Sequence, residues 1–446
     1  MKILICLHHF LPEYIGGTEI YTLRLAQGLR QAGVEAVIVV PRFGHSDTAG
    51  YEYEGIRVIA YAENSVEDRK MIMGKTKPGG LAAFVDVLHK ENPAIVHFHE
   101  LAPGRGINIF HVEKTNELNI PLIITFHLAA YTCMKGSLVY KDIKKCDGLI
   151  RIKACTECVL ETKGITGIKA TLLAKASVAL YTAGLDPTKL NSTPGTALGF
   201  PYVIDKIKND LLKLSKLAAK IIVLSEWYKN ILEKNGVPSA KLLYIRQGLA
   251  KEVPRHFNNS GISVPLKIVF IGRITAIKGL HLLIRAMGQL PQEKISLHIY
   301  GRETNDDYVA NCKKQSASMQ NIHWMGAIPS EEVIATLSNY HVLCLPSDFE
   351  MSPLVIQEAF AAGLPVLASD VYGNAEHIRE GENGWLFRFK DSSHLAEKLK
   401  YLLDDVKRVE RARLNLPVPK MFTEIAREHV WLYSEIAREK ELVDVK

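Results

Sequence analysis

The chain contains no apolar run of 18 or more residues, so no transmembrane helix is expected. Cysteine is scarce, with seven unevenly spaced residues among 446, which argues against a secreted disulfide scaffold. A chain of this length buries enough surface to hold its core without covalent staples. The opening "MKILICLHHF" is short for a leader and is interrupted by His8 and His9, so no signal peptide is expected and a cytoplasmic location follows by default. The first βα turn lacks G-x-G-x-x-G, which disfavours a nicotinamide dehydrogenase. No dense basic tract is present. The net charge of +7 is spread along the chain, so nucleic acid is not an expected partner. A mild basic excess suits a phosphorylated substrate or an anionic membrane surface. No internal repeat and no low-complexity tract is visible.

What is present has the balance of a soluble globular protein, 47% hydrophobic and 23% charged, long enough for two or three domains. Ile3–Leu7, a loop ending at Gly16–Gly17, a helix from about Thr18 closed by Gly33, and Val37–Val40 form a βαβ unit. "AIVHFH" and "PLIITFH" read as buried strands ending in histidines. The second half repeats the alternation from "LKIVFIGRITAIKGLHLLIRAM" to "GWLFR". The expected fold is α/β, with two Rossmann-like parallel-sheet domains facing across a cleft. The expected domains are 1–250 and 262–420, with a boundary in the Gly-, Asn-, Ser- and Pro-rich stretch 247–265. An amphipathic helix over 421–446 is expected to pack back toward the first domain. Between 130 and 220 the alternation breaks. There "KIKNDLLKLSKLAAK" sets Lys206, Lys213, Lys216 and Lys220 beside an Ile/Leu face, either a surface helix or a peripheral membrane contact.

The stretch "DFEMSPLVIQEAFAAGLPVLAS", 348–369, concentrates the chemistry. Ser352 is placed to cap a helix, Pro353 suits its first position, and Gly363 suits a left-handed end. The free N–H groups of such a helix start favour a phosphate. Glu350 before the helix and Glu358 within it would accept hydrogen bonds from sugar hydroxyls. Phosphate flanked by sugars describes a sugar nucleotide. Arg273 and Lys278, in the loop after a strand, can converge on a diphosphate, Arg as a fork and Lys as a point charge.

The ordered set of motifs resembles retaining glycosyltransferases of the GT-B fold, in the large family 4. The set comprises Gly16–Gly17, "TFH" ending at His127, "GRITAIKG" with Gly272, Arg273 and Lys278, and Glu350-x7-Glu358. It spans most of the chain outside 130–220. The resemblance implies that Ser352, Pro353 and Leu354 cradle the diphosphate, with Ser352 and Leu354 supplying N–H groups. It makes Glu350 the carboxylate at the donor sugar and Glu358 the ribose ligand. It puts His127 near the reacting carbon or the sugar's 6-hydroxyl, and lets Gly16 and Gly17 approach phosphate or acceptor closely; a tight turn would be their structural role. His97 and His99 read as structural. No catalytic metal is expected. The implied partners are a nucleotide-sugar donor and a glycan, lipid-linked or small-molecule acceptor.

Cys133, Cys146, Cys155 and Cys158 follow a C-x12-C-x8-C-x2-C spacing that fits an all-thiolate structural zinc. An iron–sulfur cluster, a redox pair at Cys155 and Cys158, or free buried thiols are the alternatives. Cys6, Cys312 and Cys344 read as core residues. Two other functions share the architecture: a sugar-nucleotide isomerase or epimerase, and a non-catalytic sugar-nucleotide-binding protein.

Overall fold

A computed structural model describes residues 1–65, 70, 73–104, 106–190, 192–249, 261–262, 264–303 and 306–444. Most of the proposed linker 247–265 lies outside these residues. The chain divides into two compact units: residues 1–247 with 422–446, and residues 248–421.

The first unit holds an eight-stranded sheet. Its strands are β1 (Lys2–Cys6), β2 (Glu35–Phe43), β3 (Ala49–Tyr53), β4 (Ile56–Glu63), β5 (Ile95–His99), β6 (Leu122–Phe126), β9 (Lys220–Val223) and β10 (Leu242–Tyr244), in the order β10-β9-β6-β5-β1-β2-β4-β3. Only β3 runs antiparallel to its neighbour. β1, β5 and β6 are buried almost throughout, as parallel strands covered on both faces must be. Helix Phe422–Asp444 packs on helix Gly17–Gln31. Gly28 permits this approach, since a Cβ there would lie 2.7 Å from that of Ala426.

The segment 130–220 is not irregular. It contains a small hairpin, β7 (Val139–Tyr140) with β8 (Lys144–Lys145), and helices Ile152–Thr162, Gly167–Thr182 and Thr193–Leu217. The last helix carries the lysines considered for a membrane contact. Its apolar face, Ile204, Ile207, Leu211 and Leu214, is buried. Lys206 pairs with Asp210 and Lys213 with Glu113, while Lys220 lies in β9. That helix has no apolar stripe left to enter a bilayer. Among the described residues no helix is long and apolar enough to cross a membrane.

The second unit holds a six-stranded, all-parallel sheet: β11 (Leu266–Ile271), β12 (Ile295–Tyr300), β13 (Ile322–Gly326), β14 (Val342–Leu345), β15 (Val366–Ser369) and β16 (Gly384–Phe387). The order is β13-β12-β11-β14-β15-β16. Along β11, Ile268 and Phe270 join one core cluster and Val269 and Ile271 the other, so the sheet is sealed on both faces. Strand order reverses between β11 and β14. In such sheets a crevice opens there, beyond the carboxyl ends of the strands.

Candidate functional site

The loops leaving β11 and β14 meet at that reversal point. Asp348 N–H donates to Ile277 O at 2.7 Å and ties one loop to the other. Lys278 Nζ lies 2.6 Å from Glu350 Oε1, and Ser347 Oγ–H donates to the same oxygen at 2.7 Å. Glu350 is buried, at 8% exposure, so its charge needs these partners. Arg273 is exposed, and its guanidinium makes no hydrogen bond or ion pair among the described residues. Gly272 has φ +150, in the region that favours glycine, and open space where a Cβ would stand. Gly279, at φ +69, backs onto Pro346, where a Cβ would lie 2.0 Å from the carbonyl oxygen.

The helix after β14 runs Leu354–Ala361 and starts one residue later than the capping pattern suggests. Pro353 takes extended backbone, ψ 112, and is itself the cap residue; Ser352 makes no side-chain capping bond. The N–H groups of Leu354 and Val355 find no backbone acceptor among the described residues. At the other end, Leu364 N–H returns to Ala359 O and Gly363 N–H to Phe360 O, with Gly363 at φ +81, the expected left-handed close. Glu358 is half-buried in this helix with no partner for its carboxylate among the described residues. Desolvation pushes its carboxyl up to about 7.

The loop carrying Glu350 is braced from behind. Gly373 N–H donates to Glu350 O at 3.2 Å, Ser369 Oγ–H donates to Ser347 O, and Asn374 Nδ2 donates to Ser369 Oγ at 3.1 Å. A Cβ on Gly373 would meet Met351 O at 2.5 Å.

In the first unit, Gly16 caps helix Gly17–Gln31 with extended backbone, φ −154. Neither glycine occupies the left-handed region. Glu19 folds back over Gly16, with Oε2 2.7 Å from where a Cβ would stand. Glu100 lies close by; burial, then Glu19, pushes its carboxyl up to about 7. His127 follows β6 and is buried against Tyr21, ring centroids 4.9 Å apart. Its Nε2 is 3.3 Å from His99 Nδ1, which also meets Thr22 Oγ1 at 2.8 Å. Burial, with His429, lowers His127 to about 3, so the ring is neutral at ordinary pH. His97 is buried, with Tyr433 Oη 2.7 Å from Nδ1 and Thr125 Oγ1 2.7 Å from Nε2.

The four clustered cysteines line one cavity of about 430 Å³ in this unit. Among the described residues no three His, Cys, Asp or Glu side chains are placed to hold a metal ion as they stand. Cys6 and Cys344 are buried on strands; Cys312 is buried on helix Asp307–Ser316.

Two families match the chain: "Glycosyltransferase Family 4" over residues 15–159 and "Glycosyl transferases group 1" over residues 253–416. Among solved structures, HepE of Anabaena in a complex with UDP and glucose superposes with a TM-score of 0.61 at 15% identity, covering 98% of this chain and 100% of that one. Sucrose-phosphate synthase of Thermosynechococcus elongatus superposes with a TM-score of 0.65 at 18% identity, covering 98% of each. The fold is GT-B. Among curated proteins, the putative colanic acid biosynthesis glycosyltransferase WcaL of Salmonella typhimurium is 29% identical over 187 residues, 40% of this chain and 46% of its own. Amylovoran biosynthesis glycosyltransferase AmsK of Erwinia amylovora is 28% identical over 218 residues, 45% of this chain and 52% of its own. The chain thus spans about half the length of the curated relatives it matches. The chain is thus similar to glycosyltransferases in both units, each of the two families matching under half of its length.

The two matched stretches of this GT-B chain hold the residues singled out in the sequence. Residues 253–416 contain Arg273, Lys278, Glu350 and Glu358, and residues 15–159 contain Gly16, Gly17, His127 and the four cysteines. Sequence reading missed Ser347, Ser369, Gly373 and Asn374. Apart from Ser347, these come from elements after the helix, and no local spacing links them to Glu350. It also missed that His99 touches His127; the two adjacent parallel strands, both ending in histidine, were the available signal.

Proposed function

We propose that the protein transfers a sugar from a nucleoside-diphosphate donor to an acceptor hydroxyl, with retention at the anomeric carbon. The observation that carries this reading is the arrangement at the β11/β14 reversal. A lysine paired with Glu350 (Lys278), an arginine with no partner among the described residues (Arg273) and a helix start with spare N–H groups all follow β11 and β14, the strands at the reversal. These groups suit a diphosphate whose charge grows as it leaves. Arg273 and Lys278 contact the diphosphate, with the backbone of Ser352 and Leu354 and the close approach allowed by Gly272. Glu358 accepts from the ribose hydroxyls, and Glu350 from the donor sugar.

In the reaction, the bond from the anomeric carbon to the phosphate oxygen breaks and its electron pair stays on the phosphate. The acceptor oxygen bonds the same face, and its proton passes to the leaving phosphate oxygen. The scheme needs neither a protein base nor a metal, since fixed cations supply the charge. His127, neutral because it is buried, contributes a hydrogen bond and not a proton. Glu19 and Glu100 at the Gly16–Gly17 helix start favour hydroxyl groups over a phosphate there.

The structures similar in fold include complexes with UDP and glucose and with ADP and acarbose, so UDP- and ADP-sugars are the first donors to test. The curated relatives named for colanic acid, amylovoran and O-antigen biosynthesis point to an acceptor that is a growing glycan. The test incubates the full chain with nucleotide sugars and oligosaccharide or lipid-linked acceptors, and follows released nucleoside diphosphate and the anomeric proton coupling of the product. Acceptor-dependent release with an unchanged anomer supports the reading. Conversion of the donor to another sugar nucleotide without acceptor would make the protein an isomerase, and an inverted anomer would remove retention.

A further inference from the structure

Four cysteines take no part in the proposed reaction. Cys133 lies in the turn after β6, Cys146 directly after the β7–β8 hairpin, and Cys155 and Cys158 on the first turns of helix Ile152–Thr162. These pieces are separate in the chain, yet all four side chains line the same cavity.

Three of the sulfurs receive backbone N–H groups. Lys141 N–H points at Cys158 Sγ at 3.2 Å, Arg151 N–H at Cys155 Sγ at 3.4 Å, and Gly148 N–H at Cys146. A neutral thiol is a weak acceptor, whereas a thiolate is a strong one. As they stand two of these sulfurs also face carbonyls, Cys155 Sγ toward Leu149 O at 4.0 Å and Cys158 Sγ toward Val139 O at 3.8 Å, so they rest as thiols whose neighbouring amides can receive a thiolate once a cation binds. Gly148, at φ +74, lets the chain turn back over Cys146.

The electrostatic surroundings agree. Lys135, Lys144, Lys145, Arg151 and Asp147 line the cavity; Lys135 pairs with Asp142 and Arg151 with Asp147, so two of the four cations are already matched. Four thiolates around a divalent cation carry a net charge of about −2, which the lysines of this wall would offset in part.

We propose that Cys133, Cys146, Cys155 and Cys158 bind one zinc ion as an all-thiolate site, and that binding draws the hairpin and the helix together. As they stand the sulfurs face a common cavity and not a common point, so the ion closes the cavity. Binding releases the four thiol protons to solvent and involves no change of oxidation state. The ion is structural: it fixes the segment that follows His127 and takes no part in transfer.

The test uses the full chain purified from zinc-replete medium without strong chelators. Elemental analysis is expected to find about one zinc per chain. Cobalt substitution is expected to give the sulfur-to-cobalt charge-transfer absorption of tetrahedral thiolate. Thiol titration is expected to show these four cysteines protected until a mercurial releases the metal. Cys155→Ser and Cys158→Ser should each lose most of the bound zinc. Circular dichroism and thermal unfolding serve as the control that the variants are folded, and the cobalt spectrum of the unaltered chain decides the matter if they are not. A metal-free chain, iron with acid-labile sulfide, or a disulfide between any two of the four would overturn the proposal.

Discussion

Lys278 and Glu350 form an ion pair across the strand-order reversal of the second sheet, with Nζ 2.6 Å from Oε1. The pair joins the two loops that build the proposed donor site. It gives a buried carboxylate a charged partner at hydrogen-bond distance. Ser347 shares the carboxylate, so Glu350 can stay satisfied when Lys278 turns part of its charge to a phosphate.

Lys278→Ala should cost about 2–3 kcal/mol of stability, because it leaves Glu350 buried and short of a charged partner. Adding Glu350→Gln to the same chain should recover most of that loss, since a neutral amide needs no counter-ion. Urea unfolding of the single and double variants checks this. Equal instability of both would show that the pair is not the source.

Glu358 makes stability depend on pH. Burial raises its carboxyl from the usual value near 4.5 to about 7. Between these values the folded chain holds a proton that the unfolded chain has released. Stability from this group is therefore full below about pH 4.5 and falls as pH rises through 7. Glu358→Gln should remove that fall and stabilise the chain above pH 7 by up to about 3 kcal/mol. Hydroxyl donors prefer the ionised carboxylate, so nucleotide affinity should increase from pH 6 to pH 8 in the unaltered chain and stay flat in the variant. Thermal unfolding and titration at both pH values measure the two trends.

Gly373→Ala should distort the site without touching any ligand. Its Cβ would stand 2.5 Å from Met351 O, and its N–H holds Glu350 O. Displacing that loop by about 1 Å is expected to lower turnover by about 10²-fold. Circular dichroism of the variant should remain that of the parent. Unchanged kinetics would show that the loop is not positioned from behind.

His127 should leave no mark on the pH profile of kcat/KM between pH 5 and 9, because burial holds it near 3. His127→Gln is expected to lower the curve without changing its shape. Loss of a limb from the profile in the variant would instead make His127 a titrating participant.

The alternation of strands and helices was legible because parallel strands sealed on both faces must be continuous apolar runs, as "IVFI" in β11 is. The segment 130–220 was not. Helix Gly167–Thr182 carries apolar residues on its exposed side as well, with Ile168 76% and Leu172 58% exposed, so no helical period shows. "EEVIATLSNY" reads as one helix but begins as a 3-10 turn, and the helix proper is only Val333–Leu337. In the site, Glu350, Glu358, Arg273 and Lys278 were visible because each pair lies within one short stretch of sequence. The start of helix Leu354–Ala361 was misread by one residue because Pro353 adopts extended backbone and takes the cap position from Ser352. The bracing by Gly373 and Ser369 was invisible, since it depends on how β15 and the turn after it stack behind β14.

The central claim is that a nucleoside diphosphate docks at Arg273, Lys278 and the start of helix Leu354–Ala361. Isothermal titration of the full chain with UDP, ADP and GDP, repeated on Arg273→Ala and Glu358→Ala, tests it most directly. At least one of the three should bind, and each substitution should weaken it about tenfold or more, about 1.4 kcal/mol. Arg273→Ala should leave stability unchanged, because the side chain has no partner among the described residues to lose. Absence of binding by all three diphosphates, or one affinity shared by parent and variants, would contradict the account.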